Sequence, residues 1–203
     1  VFGYIEDGGT PPDPPTPGEN EVLVEGFDSG SLPAGWTLVD ADGDGYNWQA
    51  GSTATGGEPY EGADYFTSAS FINNIGPLTP DNWLITPAVA VEGGSIKYYV
   101  AAQDAAYAYE HYGVYYSTNG TDPSSFELLF EETMVAKGAG TKVSGENATR
   151  NGASKAQGTW YERIIDLTGV SGSEVYFAFR HLDCTDAYFL NLDEVTITTG
   201  GET

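Results

Sequence analysis

The chain has 203 residues, with 7 Lys+Arg against 30 Asp+Glu and a formal net charge of −23. All seven basic residues lie between Lys97 and Arg180, and the first 96 residues carry fifteen acids and no Lys or Arg. Such a chain cannot hold nucleic acid by neutralising phosphates, offers no polybasic face to anionic lipid, and has nothing near the roughly twenty consecutive apolar residues of a membrane-spanning helix.

The first 20 residues hold five of the eleven prolines between Pro11 and Pro17. Serial proline favours extended backbone without internal hydrogen bonds, so 1–20 is predicted as a linker. No Lys/Arg-led apolar stretch marks a signal peptide, and the sequence is expected to be a mature segment of a longer protein. From 21 onward, short apolar or alternating runs are separated by Gly, Pro, Asn and Asp. They predict strands at Glu21–Val24, Trp36–Val39, Trp83–Ile85, Ser95–Ala101, Tyr112–Ser117, Phe126–Glu132, Trp160–Asp166, Glu174–Arg180 and Leu190–Thr198. Ile96, Tyr98 and Val100 should share one face, as should Val175, Phe177 and Phe179. Asn119-Gly120 is a tight-turn signal. The segment 136–158 is polar, Gly-rich and carries Lys137, Lys142, Arg150 and Lys155, so it is predicted as a long loop.

Many short strands with no helical apolar stripe predict an all-β fold. The expected architecture is a two-sheet antiparallel β-sandwich of the jelly-roll type over 21–199, with a tail at 200–203. Hydrophobic residues are 40% of the chain, enough to fill such a core. The single cysteine, Cys184, cannot form an internal disulfide. If the chain is extracellular, bound metal is then the natural brace for its loops.

The sharpest local signal is Asp40-Ala41-Asp42-Gly43-Asp44-Gly45. Three alternating carboxylates repel one another in water and wrap naturally around a hard cation. Oxygen ligands at about 2.3–2.6 Å suit Ca²⁺, with the Tyr46 carbonyl as a further ligand. The match to an EF-hand loop is partial, because Gly51 stands where that loop has a Glu. Asp64, or carbonyls near Gly62, are candidates to complete the shell; the competing reading is a metal-free Asp/Gly turn. Asp81, Asp193 and Glu194 interrupt apolar runs, and a carboxylate facing a core is costly unless paired or on a metal. Together with Glu25 or the Gly26 carbonyl, Asp81 and Asp193 suggest a second calcium site; otherwise Asp81 caps a turn and Asp193 or Glu194 faces solvent. Acid pairs also allow a glycosidase reading, but acids abound in this chain and the signal is weak. His111, His181 and Cys184 are read as structural, and no Cys/His zinc motif or phosphate loop is present. Arg180 is expected to pair with an acid at a sheet edge. Tyr60, Tyr65, Tyr107 and Tyr109 lie in loop-like stretches where exposed tyrosines serve recognition, and they equally suit partial burial at a sandwich rim.

The ordered motifs Phe27-Asp28-Ser29-Gly30, Pro33-Ala34-Gly35-Trp36, the Asp40–Gly45 loop with Trp48, Leu78–Pro87, Glu110-His111-Tyr112, Gln157–Trp160, Phe177–His181 and Leu192-Asp193-Glu194-Val195 resemble the cleaved adhesin domains of the gingipains and the related haemagglutinin of Porphyromonas. The resemblance implies a calcium-bound jelly roll without a catalytic segment, secreted or displayed on the surface of a Bacteroidetes-type bacterium within a larger multidomain protein. It implies partners among host proteins such as haemoglobin and matrix proteins, or cell surfaces; a carbohydrate-binding module is the alternative. By motif it implies two ions. Asp40, Asp42, Asp44 and the Tyr46 carbonyl would hold one, and Asp81, the Leu192 carbonyl, Asp193 and the Gly26 carbonyl match further ligand positions. Tyr107, Tyr109 and Arg180 are the candidate ligand-binding residues.

Overall fold

The computed structural model describes residues 20–135 and 158–200. The predicted linker up to residue 19, the loop over 136–157 with its four basic residues, and the tail beyond 200 lie outside the described residues. The elements are β1 (Glu21–Glu25), β2 (Thr37–Asp40), β3 (Gln49–Ala50), a single helical turn α1 (Gly51–Ala54), β4 (Phe66–Ala69), β5 (Phe71–Ile72), β6 (Gly76–Pro77), β7 (Asn82–Ile85), β8 (Val89–Glu92), β9 (Ser95–Ala102), β10 (His111–Ser117), β11 (Glu127–Thr133), β12 (Tyr161–Asp166), β13 (Ser171–His181) and β14 (Phe189–Thr198).

Two antiparallel sheets face each other. One runs β12-β9-β14-β4-β3 with β1 also on β14; the other runs β11-β10-β13-β7-β2 with β8 also on β13. The all-β sandwich expected from the sequence is the fold. Its core is built from the alternation read above: Ile96, Tyr98 and Val100 on β9 meet Val175, Phe177 and Phe179 on β13 in one buried cluster. The Asn119-Gly120 signal marks the β10–β11 connection, which is longer than a two-residue hairpin. Gly120 sits at φ 86°, and Asp122 caps a 3₁₀ turn at Pro123–Ser125 that finishes the loop.

Polar groups stitch the sandwich along one side. The Tyr98 and Tyr112 hydroxyls meet at 2.8 Å inside the core, and Tyr112 donates to Glu132 at 2.6 Å. Burial first, then the neighbouring Tyr98 and Glu132, push the Tyr112 phenol far above its usual range. Arg163 on β12 grips the same Glu132, on β11, with two bonds of 2.7 and 3.0 Å. The edge strands of opposite sheets are thereby joined by a bidentate charge-assisted pair.

The β8–β9 turn depends on Gly94. Its φ is +100°, and a side chain there would run into the Thr198 carbonyl of β14. Gly94→Ala should therefore destabilise the fold by about 2–3 kcal/mol, through backbone strain plus the clash. Urea denaturation measures it, and an unchanged midpoint would contradict this account of the turn.

Candidate functional sites: two carboxylate nests and a buried Glu–His–Cys cluster

The first nest is local. β2 ends at Asp40, and the chain turns through Gly43 (φ 72°) and Gly45 (φ 85°), conformations that favour glycine. This curls the loop so that Asp40 accepts the Gly43 and Gly45 N–H groups at 2.8 and 2.9 Å, while Asp44 accepts Tyr46 N–H at 2.8 Å. Asp40, Asp42 and Asp44 offer oxygens all within 4.8 Å of one another. Slight burial pushes Asp40 up, but the Gly45 and Gly43 N–H groups outweigh it and hold its carboxyl below the usual range. Asp42 is pushed up, by burial first, then by the Asp40 carboxyl it hydrogen-bonds and by the Asp44 charge. A divalent ion placed among these oxygens would offset the repulsion that the neighbouring carboxyls exert on Asp42. Oxygen donors at this spacing fit a hard cation.

Asp64 is engaged elsewhere, contrary to its expected role on this loop. It is buried and accepts Ser52 N–H at 2.8 Å and the Ser52 hydroxyl, fixing the start of α1. A side chain added at Gly30, two residues from Asp28, would touch it.

The second nest is assembled from distant segments. Asp193 on β14 is wholly buried and accepts Tyr60 and Glu61 N–H at 2.8 and 3.3 Å. The β14–β9 register shifts between Asp193 and Thr196, and Glu194 takes φ 49°. Neighbouring residues of a regular strand point to opposite faces; here the irregularity turns Glu194 toward the same acids. Glu194 feels Glu61, Asp28 and Glu25, with Lys97 offsetting them in part. Phe27 is also left-handed, at φ 56°, and its N–H reaches back to Glu25 at 2.7 Å. Gly26 faces the Glu194 and Asp28 carboxylates, and Asp28 accepts Ala63 N–H. Leu192 precedes Asp193, between β4 and β9. Burial, the largest effect, pushes Asp193 up to about 8. Burial likewise raises Glu194 and Glu25.

Asp81 does not join Asp193, as the sequence reading had it. It stands beside the first nest: its carbonyl accepts Ala41 N–H at 2.9 Å and its own N–H approaches Asp42 at 3.4 Å. Its carboxylate is gripped by Arg180 with two bonds of 2.7 Å and accepts Trp83 Nε1–H at 3.0 Å. The Arg180 guanidinium also lies 4.6 Å over Trp83 and 5.8 Å over Tyr115. Arg180 thus has the acid partner expected of it, and that pairing occupies the fork that an external ligand would need. Lysine cannot reproduce a bidentate, stacked fork. Arg180→Lys should cost about 1–2 kcal/mol, read from a thermal melt beside the wild type; equal stability would mean the pair is merely superficial.

The tyrosines separate. Tyr65 is fully buried, beyond the partial burial that was one of its two readings, with its hydroxyl on Thr55 and its ring edge-on to Trp160. Tyr60 is half-buried and stacks on Tyr99 with centroids 3.5 Å apart. Tyr107 is half-buried, and Tyr109 is 59% exposed.

One constellation escaped the sequence. Glu110, His181 and Cys184 converge: His181 Nε2 lies 2.9 Å from Glu110 Oε2 and 3.2 Å from Cys184 Sγ, and Sγ lies 3.5 Å from the same Oε2. His181 Nδ1 is 2.8 Å from the Ser68 hydroxyl. Burial opposes the charged imidazole, yet Cys184 and Glu110 beside it hold His181 above the usual histidine range. The spacing His181-Leu182-Asp183-Cys184 was the available signal, but Glu110 comes from 71 residues away.

The chain matches the family model of the Cleaved Adhesin Domain over residues 20–197. It belongs to the cleaved adhesin domain family. Lys-gingipain W83 of Porphyromonas gingivalis is 46% identical over 185 residues, and haemagglutinin A of Porphyromonas gingivalis is 45% identical over 185 residues. Each match covers 89% of this chain but only 10% and 8% of those relatives, so the chain spans about a tenth of their length. Among solved structures, the K1 and K3 cleaved adhesin domains of Lys-gingipain superpose with TM-scores of 0.72 and 0.73 at 43% and 46% identity, covering 89% of this chain and 99% of each domain. A xylan-binding domain from Paenibacillus barcinonensis shares the fold alone, with a TM-score of 0.51 at 13% identity over 89% of this chain and 96% of its own. The cleaved adhesin domain is a non-catalytic adhesin module. The resemblance drawn from the ordered motifs is thereby confirmed, and the glycosidase reading falls. No helix among the described residues is long and apolar enough to cross a membrane.

Proposed function

We propose that this cleaved adhesin domain is a calcium-stabilised extracellular module, secreted or displayed on the cell surface, that binds host proteins such as haemoglobin and matrix proteins. Family membership over residues 20–197 is the observation that carries the adhesive reading. The calcium part is supported by the two carboxylate nests. Asp40, Asp42, Asp44 and the Tyr46 carbonyl hold one Ca²⁺, with Asp81 beside them and committed to Arg180. Asp193, Glu194, Glu61, Asp28 and Glu25, with the Gly26 and Leu192 carbonyls, surround the second. Two divalent ions also answer the repulsion within a chain of net charge −23. Tyr109, on the loop between β9 and β10, is the contact residue, since an exposed tyrosine gives wide, rigid contact area. The Tyr107–Tyr109 stretch equally suits stacking on a sugar ring, which keeps a carbohydrate-binding role as the second reading.

Binding to immobilised haemoglobin and to a matrix protein separates the two. Saturable binding in calcium that weakens at least about tenfold in Tyr109→Ala supports the first. Binding only on a glycan array supports the second, and binding to neither overturns both.

A further inference from the structure

We propose that Glu110, His181 and Cys184 form a site for one divalent transition ion of the zinc class, separate from the carboxylate nests. The three side chains differ in donor type, O, N and S, and they meet at one point. In tetrahedral zinc, bonds of about 2.3 Å to sulfur and 2.0–2.2 Å to nitrogen and oxygen put neighbouring donors roughly 3.3–3.6 Å apart. Here the three separations are 2.9, 3.2 and 3.5 Å. They are donors drawn together by shared protons, within a few tenths of an ångström of the spacing an ion would impose.

The arrangement differs from a nucleophilic triad. There the acid orients one ring nitrogen and the nucleophile sits on the other. In this chain both Glu110 and Cys184 face Nε2, while Nδ1 faces Ser68. A ring nitrogen holds one proton and cannot donate fully to two partners; a cation satisfies both at once. Ser68 serves as the outer partner that metal-bound histidines require, fixing the ring and leaving Nε2 for the ion. Glu110 is fixed too, because its other oxygen accepts Tyr188 N–H at 2.6 Å.

The backbone is bent to build the cluster. In an extended strand His181 and Cys184 would stand about 10 Å apart. Asp183 takes φ 50°, which folds Cys184 back onto the ring. Glu110 and His181 are wholly buried, whereas Cys184 is half-buried and lines a cleft of about 430 Å³ with Leu182, Asp183 and Thr185. The fourth ligand position therefore faces that cleft, open to water or an external donor. Thiolate and imidazole select zinc-class ions over calcium.

The test uses the full chain saturated with calcium, so that hard-cation sites are filled, and titrates in Co²⁺ and then Zn²⁺. One equivalent of Co²⁺ should give a thiolate-to-cobalt charge-transfer band and the intense visible bands of four-coordinate cobalt, both erased by Zn²⁺. Cys184→Ser, at a half-exposed position, should lose the charge-transfer band while melting normally. Ser68→Ala should weaken zinc binding about 10–100-fold. Zinc should also protect Cys184 from alkylation. Cobalt spectra without a thiolate band, or alkylation at the same rate with and without zinc, would overturn the proposal and leave a hydrogen-bonded cluster with an accessible thiol.

Discussion

EDTA is expected to lower the melting temperature of this module by on the order of 15–30 °C. An ion that binds only the folded chain adds stability by mass action, about 4 kcal/mol at a thousandfold excess over its dissociation constant. Two such ions give about 8 kcal/mol, and for a domain of this size each kcal/mol moves the melt by roughly 2–4 °C. The nests also become self-repelling when emptied, because Glu25, Asp28, Glu61 and Glu194 crowd one another. Calorimetry with calcium and with chelator measures the difference. Coincident melts, with the metal content of both samples determined, would remove calcium from the account of this fold.

The second expectation is a reversal of sign at Asp193. In chelator, burial holds its carboxyl up at about 8, against an ordinary 3.8. The folded-state value lies above the unfolded one. Its stabilising contribution is therefore fully present below about pH 4 and lost as the pH rises through about 8. The chelated protein should melt at higher temperature in mild acid than in mild alkali. With calcium bound the carboxylate is held ionised, and acid should instead displace the ion and lower the melt. Asp193→Asn isolates the group. Its amide oxygen can still accept the Tyr60 and Glu61 N–H groups, the buried charge is gone, and the bond from Glu194 N–H to the other oxygen is given up. In chelator near pH 9 the variant should be the more stable protein. In calcium it should be less stable by about 4 kcal/mol, because one ion is no longer held. A shift of the same sign under both conditions would mean that Asp193 faces no ion.

The residues that were legible in the sequence are those whose partners are close in sequence. Asp40, Asp42 and Asp44 share one loop, so spacing alone described their nest. The alternation in β9 and β13 likewise placed Ile96, Tyr98, Phe177 and Phe179 in the core. The second nest depends on two left-handed residues, Phe27 and Glu194, and on a register shift in β14. None of these has a local signature, so Asp193 was joined to Asp81 rather than to Glu61 and Asp28. β4 was missed because Phe66-Thr67-Ser68-Ala69 contains one large apolar side chain and reads as a loop. Its polar groups are nonetheless buried and satisfied, Thr67 by the Leu190 carbonyl and Asn191, Ser68 by Asn82 and His181. The full burial of Tyr65 was not legible for the same reason, since its cover comes from Trp160 across the sheet.

The pairing of β1 with β14 has a mechanical consequence. Glu21 lies opposite Thr198, and Glu25 lies opposite Val195. Tension applied across the ends of the module would not shear these strands together. It would unzip them one hydrogen bond at a time, beginning at Glu21, which is the weakest way to load a β-ladder. The tear would run only as far as Glu25 and Gly26, where the acids of the second nest gather. An ion held there would act as the rivet at which the zipper stops, so the force needed to open the module should rise with calcium even though the ladder itself is unchanged.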